Sequence, residues 1–200
     1  TFSIPAFNED PTVQPVTISL AGKITDPDGG IIDLANLTGL SVAPSIAGTV
    51  GTDANGLTFT PRANYNGPVL IIYRIKDGDF PNDLSLTSDP GLIDFPVLAV
   101  NDAPVAANDT ASVGENQTIL INVISNDKDV DTDTTNFVGV PGTLQPNTTI
   151  TITQLPAIGT ASVVNGQIEY KAPLVVPVQT QTTLKYTLTD PGTLVSNEVT

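Results

Sequence analysis

Hydrophobic and polar residues alternate with a period of two along much of this chain. Val69, Ile71, Tyr73 and Ile75 fall on one face of a run that ends at Lys76. Leu184, Tyr186 and Leu188 alternate with Lys185, Thr187 and Thr189, and Ile150 and Ile152 alternate with Thr149, Thr151 and Thr153. A period of two places the apolar side chains on one side of a pleated strand, a surface that suits the β-branched and aromatic residues found here. Turn signals separate the runs: Asp26-Pro27-Asp28-Gly29-Gly30, Asn55-Gly56, Asn66-Gly67-Pro68, Asn165-Gly166 and Asp190-Pro191-Gly192. No segment sustains a helical period, and prolines interrupt most candidates. The pattern predicts an all-β chain of half-buried antiparallel strands.

The pattern also repeats. Gly48-Thr49-Val50, Asn55-Gly56 and Phe59 return as Gly159-Thr160-Ala161, Asn165-Gly166 and Tyr170. Tyr73-Arg74-Ile75-Lys76-Asp77-Gly78 is echoed by Tyr186-Thr187-Leu188-Thr189-Asp190-Pro191-Gly192, Glu9 by Glu115, and Asp26-Pro27-Asp28 by Asp129-Val130-Asp131. The offset stays near roughly 105–113 residues, the size of one small immunoglobulin-type β-sandwich. Two tandem sandwiches are therefore expected, over residues 1–101 and 102–200, joined at Val100-Asn101-Asp102-Ala103-Pro104. So short a joint leaves little freedom between domains. Thr1 reads as mid-domain sequence and Thr200 as part of a strand, so the chain is expected to be a piece of something longer.

Composition narrows the chemistry. The chain has 21 acidic against 7 basic residues and a formal charge of −14. That balance argues against nucleic acid, which needs clustered Lys and Arg, and against an anionic membrane surface. A chain this acidic is either simply self-repelling or a cation binder. It has no Cys and no His, which removes thiolate metal sites, disulfides and the commonest general base. Hydrophobic residues make up 40% of it, enough for packed cores. No stretch approaches the roughly 20 apolar residues of a membrane helix. A Cys-free, acidic chain with 17 Pro and 16 Gly fits a bacterial surface protein better than a cytosolic enzyme.

Asn101-Asp102-Ala103-Pro104, Asn108-Asp109, Glu115, Asn126-Asp127-Lys128-Asp129-Val130-Asp131, Gly159-Thr160 and Tyr186-Thr187-Leu188-Thr189-Asp190 together resemble the cadherin-like tandem repeats of large bacterial surface adhesins, which include the extender domains of RTX-type adhesins. The similarity runs over nearly the whole chain, twice. It implies Ig-like sandwiches joined end to end, with calcium at the joints. The chain departs from the pattern in the long stretch from Asp77 to Gly91 and in Pro191, where a plain Asp-Gly is usual.

The acids can be weighed on their own chemistry. Ca2+ takes six to eight oxygen ligands, so it needs converging carboxylates and carbonyls. Asp127, Asp129, Asp131 and Asp133 are spaced so that an extended segment would point all four one way. This is no EF-hand, because Thr132 stands where the turn glycine belongs and Val138 where the final Glu belongs. Successive loops of a sandwich alternate between its two ends. Taking Thr110–Val113, Gln117–Val123 and Leu184–Thr189 as strands A, B and F puts the Asp127–Asp133 loop and Asp190 at the end entered by Asn101 and Asp102. The same count puts Glu9 and Asp10 at the end where the first domain is left. All these groups are expected at the joint, as ligands of calcium. Asp26, Asp28 and Asp77 form the equivalent outer set, and Glu115 repeats Glu9. Against this stands the fact that Asp and Asn are ordinary turn residues.

Other features count for less. Tyr65 and Tyr73 read as buried strand-end residues. Asn36, Asn108, Asn116 and Asn147 open N-x-Thr sequons of a kind common by chance in a Thr-rich chain. One Thr-Ile-Thr strand cannot build an ice-binding array. The expected role is a calcium-stiffened spacer of a bacterial cell-surface adhesin, extracellular, monomeric and not an enzyme. Its partners would be neighbouring repeats of the same polypeptide, with any host or surface ligand engaged by other domains. The alternative is a calcium-dependent glycan- or protein-binding module of a surface protein, with residues 77–91 the place to look, though the chain has no Trp and only 5% aromatics.

Overall fold

In the computed structural model, residues 1–10, 14–25, 32, 34, 37–53, 56–76, 87–132, 143–175 and 180–200 are described, and every structural statement below concerns them. Contacts between Cα atoms divide the chain into two units, the first running to Val100 and the second starting at Asn101.

The first unit has eight strands: β1 (Phe2–Ser3), β2 (Phe7–Asn8), β3 (Val16–Ser19), β4 (Leu37–Ala43), β5 (Gly48–Asp53), β6 (Gly56–Pro61), β7 (Gly67–Ile75) and β8 (Gly91–Leu98). They form two sheets, one ordered β3-β6-β5 and the other β1-β8-β7-β4 with β2 also on β8. β1 and β2 run parallel to β8, and all other pairs are antiparallel. Strict alternation along β8 sends Ile93, Phe95 and Val97 inward, where they meet Leu57 and Phe59 of β6 and Val69 and Ile71 of β7. Pro96 lacks an N–H, and it is tolerated because it falls where β8 has no strand partner on one side. β1 pairs as far as Asp94 and β2 resumes at Val97.

The second unit repeats the plan with β9 (Thr118–Ile121), β10 (Thr149–Gln154), β11 (Thr160–Val164), β12 (Gln167–Lys171) and β13 (Lys185–Thr189). One sheet is β11-β12-β9 and the other β10-β13, extended by bridges from Tyr186 to Val199 and from Thr189 to Val195. Asn165 and Gly166 both have positive φ, 50° and 73°, and close the β11–β12 hairpin with a two-residue turn of the type their sequence predicts. The class is all-β, as expected. Three assignments are corrected. Thr110–Val113 is not a strand, the strand expected over Gln117–Val123 spans only Thr118–Ile121 because the chain turns in 3-10 fashion at Val123, and the sixth-strand run begins at Lys185 rather than Leu184. Thr110–Val113 and Leu184 lack a partner strand among the described residues, and strand geometry needs one.

The repeated Gly-Thr has a physical cause. Gly159 sits at φ 81°, and a Cβ there would lie 2.5 Å from both the Lys171 carbonyl oxygen and the Tyr170 hydroxyl. Gly48, at the same place in the first unit, leaves no more room, since its Cβ would overlap the Thr60 carbonyl oxygen. Gly159→Ala is therefore expected to destabilise the second unit by about 1–3 kcal/mol, measured as a lowered urea midpoint at unchanged slope.

Candidate metal centre

The second unit gathers oxygen atoms at the end where the chain enters it. Val105 and Lys128 exchange backbone hydrogen bonds of 2.8 and 3.1 Å, fixing the incoming segment against the stretch after β9. That stretch is not extended throughout. It turns in 3-10 fashion at Val123–Ser125 and again at Val130–Thr132. The second turn is shaped by Asp129, whose Oδ1 accepts the Asp131 N–H at 3.0 Å, the local bond that makes Asp a turn former. Asp131 Oδ2 then accepts the Asp102 N–H at 2.8 Å and Gln145 Nε2 at 3.0 Å.

Asp190 closes the group from the turn after β13. Its Oδ1 accepts the Leu194 N–H at 2.8 Å, and its Oδ2 accepts Asn101 Nδ2 at 2.7 Å. Gln145 Nε2 reaches Asn101 Oδ1 at 3.3 Å. A Cβ on Gly192 would come within 2.5–2.6 Å of the Asn101 carboxamide, so glycine there lets the side chain lie against the turn. Asp129, Asp131, Asp190, Asn101 and Asp102 thus form one hydrogen-bonded and electrostatic neighbourhood. The Asp129 carboxyl is held above its usual range, first by burial and then by the charges of Asp131 and Asp190, against the pull of the Asp131 N–H. Asp129 is fully buried and Asp190 nearly so. Carboxylates placed so close oppose one another unless a cation or a proton joins them.

Asp127 is turned elsewhere. It is buried, with Oδ1 accepting the Ala107 N–H at 2.7 Å and Oδ2 3.4 Å from the Tyr186 hydroxyl. That hydroxyl donates to Asp109 Oδ2 at 2.8 Å. Burial raises the Asp127 carboxyl, and the Asp109 charge adds to the rise. Burial first, then the bond to Asp109, raises the Tyr186 hydroxyl. The group is a structural lock between the incoming segment, the loop after β9, and β13. Tyr186→Phe would remove the donor these two carboxylates face and is expected to lower stability by about 1–3 kcal/mol, read as a fall in the thermal midpoint.

The expectation of four aspartates sharing one side therefore does not hold for Asp127, because the chain turns after it. Asp129, Asp131 and Asp190 do come together, with Asn101 and Asp102. Gln145 belongs to the same group and carried no sequence signal, being 14 residues from Asp131 with no motif of its own. Glu115 lies apart, exposed in the turn before β9, at the other end of that strand. In the first unit Glu9 is 2% exposed, with its N–H donating to Leu98 O at 2.9 Å and its Oε1 accepting the Val100 N–H at 2.8 Å. It thus sits where the chain leaves that unit, while Asp10 beside it is exposed. Tyr65 and Tyr73 are both buried, Tyr73 near the end of β7 and Tyr65 in the turn that precedes it. Asp26, Asp28, Asp77 and Asp133, and the segment from 77 to 86, lie outside the described residues.

Strand order and pairing define two Ig-like sandwich domains in tandem, the second with an oxygen-lined end. Comparison with known families agrees. A family model described as a cadherin-like domain matches residues 2–88, and one described as a bacterial Ig domain matches residues 101–200. The chain belongs to the bacterial Ig-domain family through its second half and carries a cadherin-like domain before it. Among solved structures, the Protocadherin GammaB4 extracellular domain is similar over the whole of this chain and 33% of its own, at 13% identity and TM-score 0.40. Protocadherin Gamma B2 extracellular cadherin domains 3-6 are similar over 100% of this chain and 49% of theirs, at 15% identity and TM-score 0.39. The chain thus spans a third to a half of these structures, and the fold assignment rests on the strand pairing and the family matches. No curated protein matches the sequence. Domains of these two families are typically extracellular modules with structural or adhesive roles. Among the described residues no helix is long and apolar enough to cross a membrane.

The donor set fits calcium. Every polar group in it presents oxygen as its only charged or anionic donor, and neither His nor Cys is available to favour a softer metal. Asp129, Asp131 and Asp190 contribute carboxylate oxygens to this neighbourhood and Asn101 a carboxamide oxygen, the kind of donor that calcium takes. Rotating the Asn101 carboxamide by half a turn exchanges its nitrogen and oxygen, so the group is able to offer either.

Proposed function

We propose that this chain is a pair of calcium-stiffened spacer repeats from a bacterial cell-surface adhesin, which hold an adhesive module away from the cell. The observation that carries the reading is the Asn101–Asp102 segment. These two residues follow the first domain directly, and their side chain and backbone are bonded to Asp190 and Asp131 of the second. Asp129, Asp131 and Asp190, with Asn101 and Asp102, are the residues that would hold the ion. Calcium supplies there a divalent charge that turns carboxylate repulsion into attraction. Glu9, at the end of the first domain where the chain leaves it, is that domain's candidate donor, with Asp10 beside it.

The mechanism is mechanical rather than catalytic. A linker of few residues bends through its φ and ψ angles, and tying it to two loops removes that freedom. Affinities of about 10⁻⁴–10⁻³ M are usual for extracellular calcium modules. At millimolar calcium the ion then contributes about 0.5–2 kcal/mol. Low calcium should soften the chain before it unfolds it. The partners of this function are the neighbouring repeats of the same polypeptide.

Small-angle scattering of the 200-residue chain, with chelator and then with millimolar calcium, tests the reading. Calcium should narrow the distribution of shapes and raise the thermal midpoint, and equimolar magnesium should do neither, since Mg2+ sheds its water reluctantly. Identical scattering and midpoints in all three conditions would remove the stiffening mechanism and leave the aspartates as solvated turns.

A further inference from the structure

β10 ends its sheet. It pairs antiparallel with β13 on one side, Thr149 opposite Thr189 and Ile152 opposite Tyr186, and no strand pairs with its other side among the described residues. A strand in that place offers a row of backbone N–H and C=O groups to another chain, and proteins usually guard it with Lys, Pro or a charge turned inward. β10 carries none of these, since it reads Thr-Ile-Thr-Ile-Thr-Gln. Its register against β13 shifts between Ile152 and Gln154, at the end of the strand. Ile150 and Ile152 are half-buried against the core of the second domain, and Thr149, Thr151 and Thr153 are exposed.

Charge singles out the same edge. The chain carries −14, so two copies repel one another over most of their surface. Residues 134–168 nevertheless contain no Asp, Glu, Lys or Arg. Within that stretch residues 155–159 lead from β10 straight to β11, the end strand of the other sheet, and Leu155 and Val163 are 65% and 41% exposed. At the Gln154 end Lys185 and Glu198 form an ion pair of 2.8 Å and offset each other, and the Thr153 hydroxyl donates to Glu198. A strongly charged partner would find no opposing charge along this edge. A second copy would find no like charge.

The strand is also complementary to itself. Thr149-Ile150-Thr151-Ile152-Thr153 reads the same in both directions. Turned antiparallel about Thr151, a second β10 sets Thr opposite Thr and Ile opposite Ile, as a two-fold contact between identical patches requires. We infer that β10 is a homophilic edge through which two copies of this chain pair side by side. Thr151 then lies opposite Thr151, Ile150 opposite Ile152 and Thr149 opposite Thr153. The β10–β13 sheets of the two copies become one continuous sheet, with the isoleucines towards the two cores and the threonines towards solvent, where Thr pairs hydrogen-bond across the strands. A slip of one residue would set Thr against Ile and lose this match. A contact of about five residues a side is small, so the dissociation constant is expected on the order of 0.1–1 mM. Copies held close together on one surface would pair at that strength without any further contact.

Sedimentation equilibrium of the 200-residue chain with chelator present, from about 10 µM to about 1 mM, tests the pairing apart from any metal. The weight-average mass should rise from that of one chain towards that of two. Amide exchange within residues 149–153 should slow by about twofold or more over the same range. Thr151→Lys sets two ammonium groups face to face on the two-fold axis and should weaken association by about tenfold or more. It also makes the chain less negative, so relief of general repulsion predicts the opposite change. Thr151 is exposed, and an unchanged thermal midpoint will show that the variant folds. Thr151→Val should pair at least as well as the natural sequence, and Ser162→Lys, which adds the same charge to β11, should leave the pairing intact. A dimer that survives Thr151→Lys, or one that protects β11 instead of β10, would overturn the inference. So would a chain still monomeric at about 1 mM, which would leave the edge to a different partner.

Discussion

Replacing Asp129 by Asn is expected to move stability in opposite directions with and without calcium. Asp129 is fully buried, and its carboxyl is raised by burial and by the charges of Asp131 and Asp190. Asn has nearly the same shape, and its Oδ1 is able to accept the Asp131 N–H as Asp129 now does. With chelator, the substitution removes one charge from a crowded group. Close like charges cost about 1 kcal/mol per pair even in water, so the variant should melt several degrees above the natural sequence. In millimolar calcium the natural sequence gains about 0.5–2 kcal/mol and the variant loses most of that gain. The two melting curves should therefore exchange order. A solvated turn aspartate predicts one sign in both conditions, as does a residue needed only for packing. Calorimetry of both proteins with chelator, calcium and magnesium reads the outcome, and an unchanged order would remove Asp129 from the proposed ligands.

The split between what was legible and what was not follows the range of the interactions. Strands with partners on both flanks or a clear buried face, such as β7 with Val69, Ile71 and Tyr73, are written in their two-residue period. The Asn165-Gly166 turn is equally local, because the φ angles it needs are those residues' own preference. The Gly-Thr repeat was visible as a repeat, but its cause lies in the approach of β6 and β12 and appears only in three dimensions. Asp127 illustrates the limit. Its spacing matches Asp129 and Asp131, yet a turn begun by Asp129 sends it to Tyr186 and Asp109, 59 and 18 positions away in the chain. Gln145 joins the candidate centre through contacts that no motif announces. The placing of Asn101 with Asp190 follows from loop alternation in a sandwich, a rule of topology that needs only strand order.

Phe59→Ala should be the most damaging single substitution in the first domain, at about 3–5 kcal/mol. Phe59 is fully buried on β6, the central strand of its sheet, and faces Val16 on one side and Val50 on the other. Its ring lies 5.9 Å from Phe7 and 5.4 Å from Phe95, the latter edge-on, so it joins the two sheets across the core. Truncation removes the transfer energy of the ring and leaves a cavity. Phe7 and Phe95 are unable to collapse into it without breaking their own pairing with β8 and β7. Domains of this size are stable by about 5–15 kcal/mol, so the loss takes roughly a fifth of the total or more. Phe59→Leu, which keeps most of the volume, should cost clearly less. Urea unfolding gives the size of the effect, and amide exchange should place it in residues 16–19, 56–61 and 91–98. A loss below about 1 kcal/mol would mean that the two sheets are not held together by this aromatic cluster.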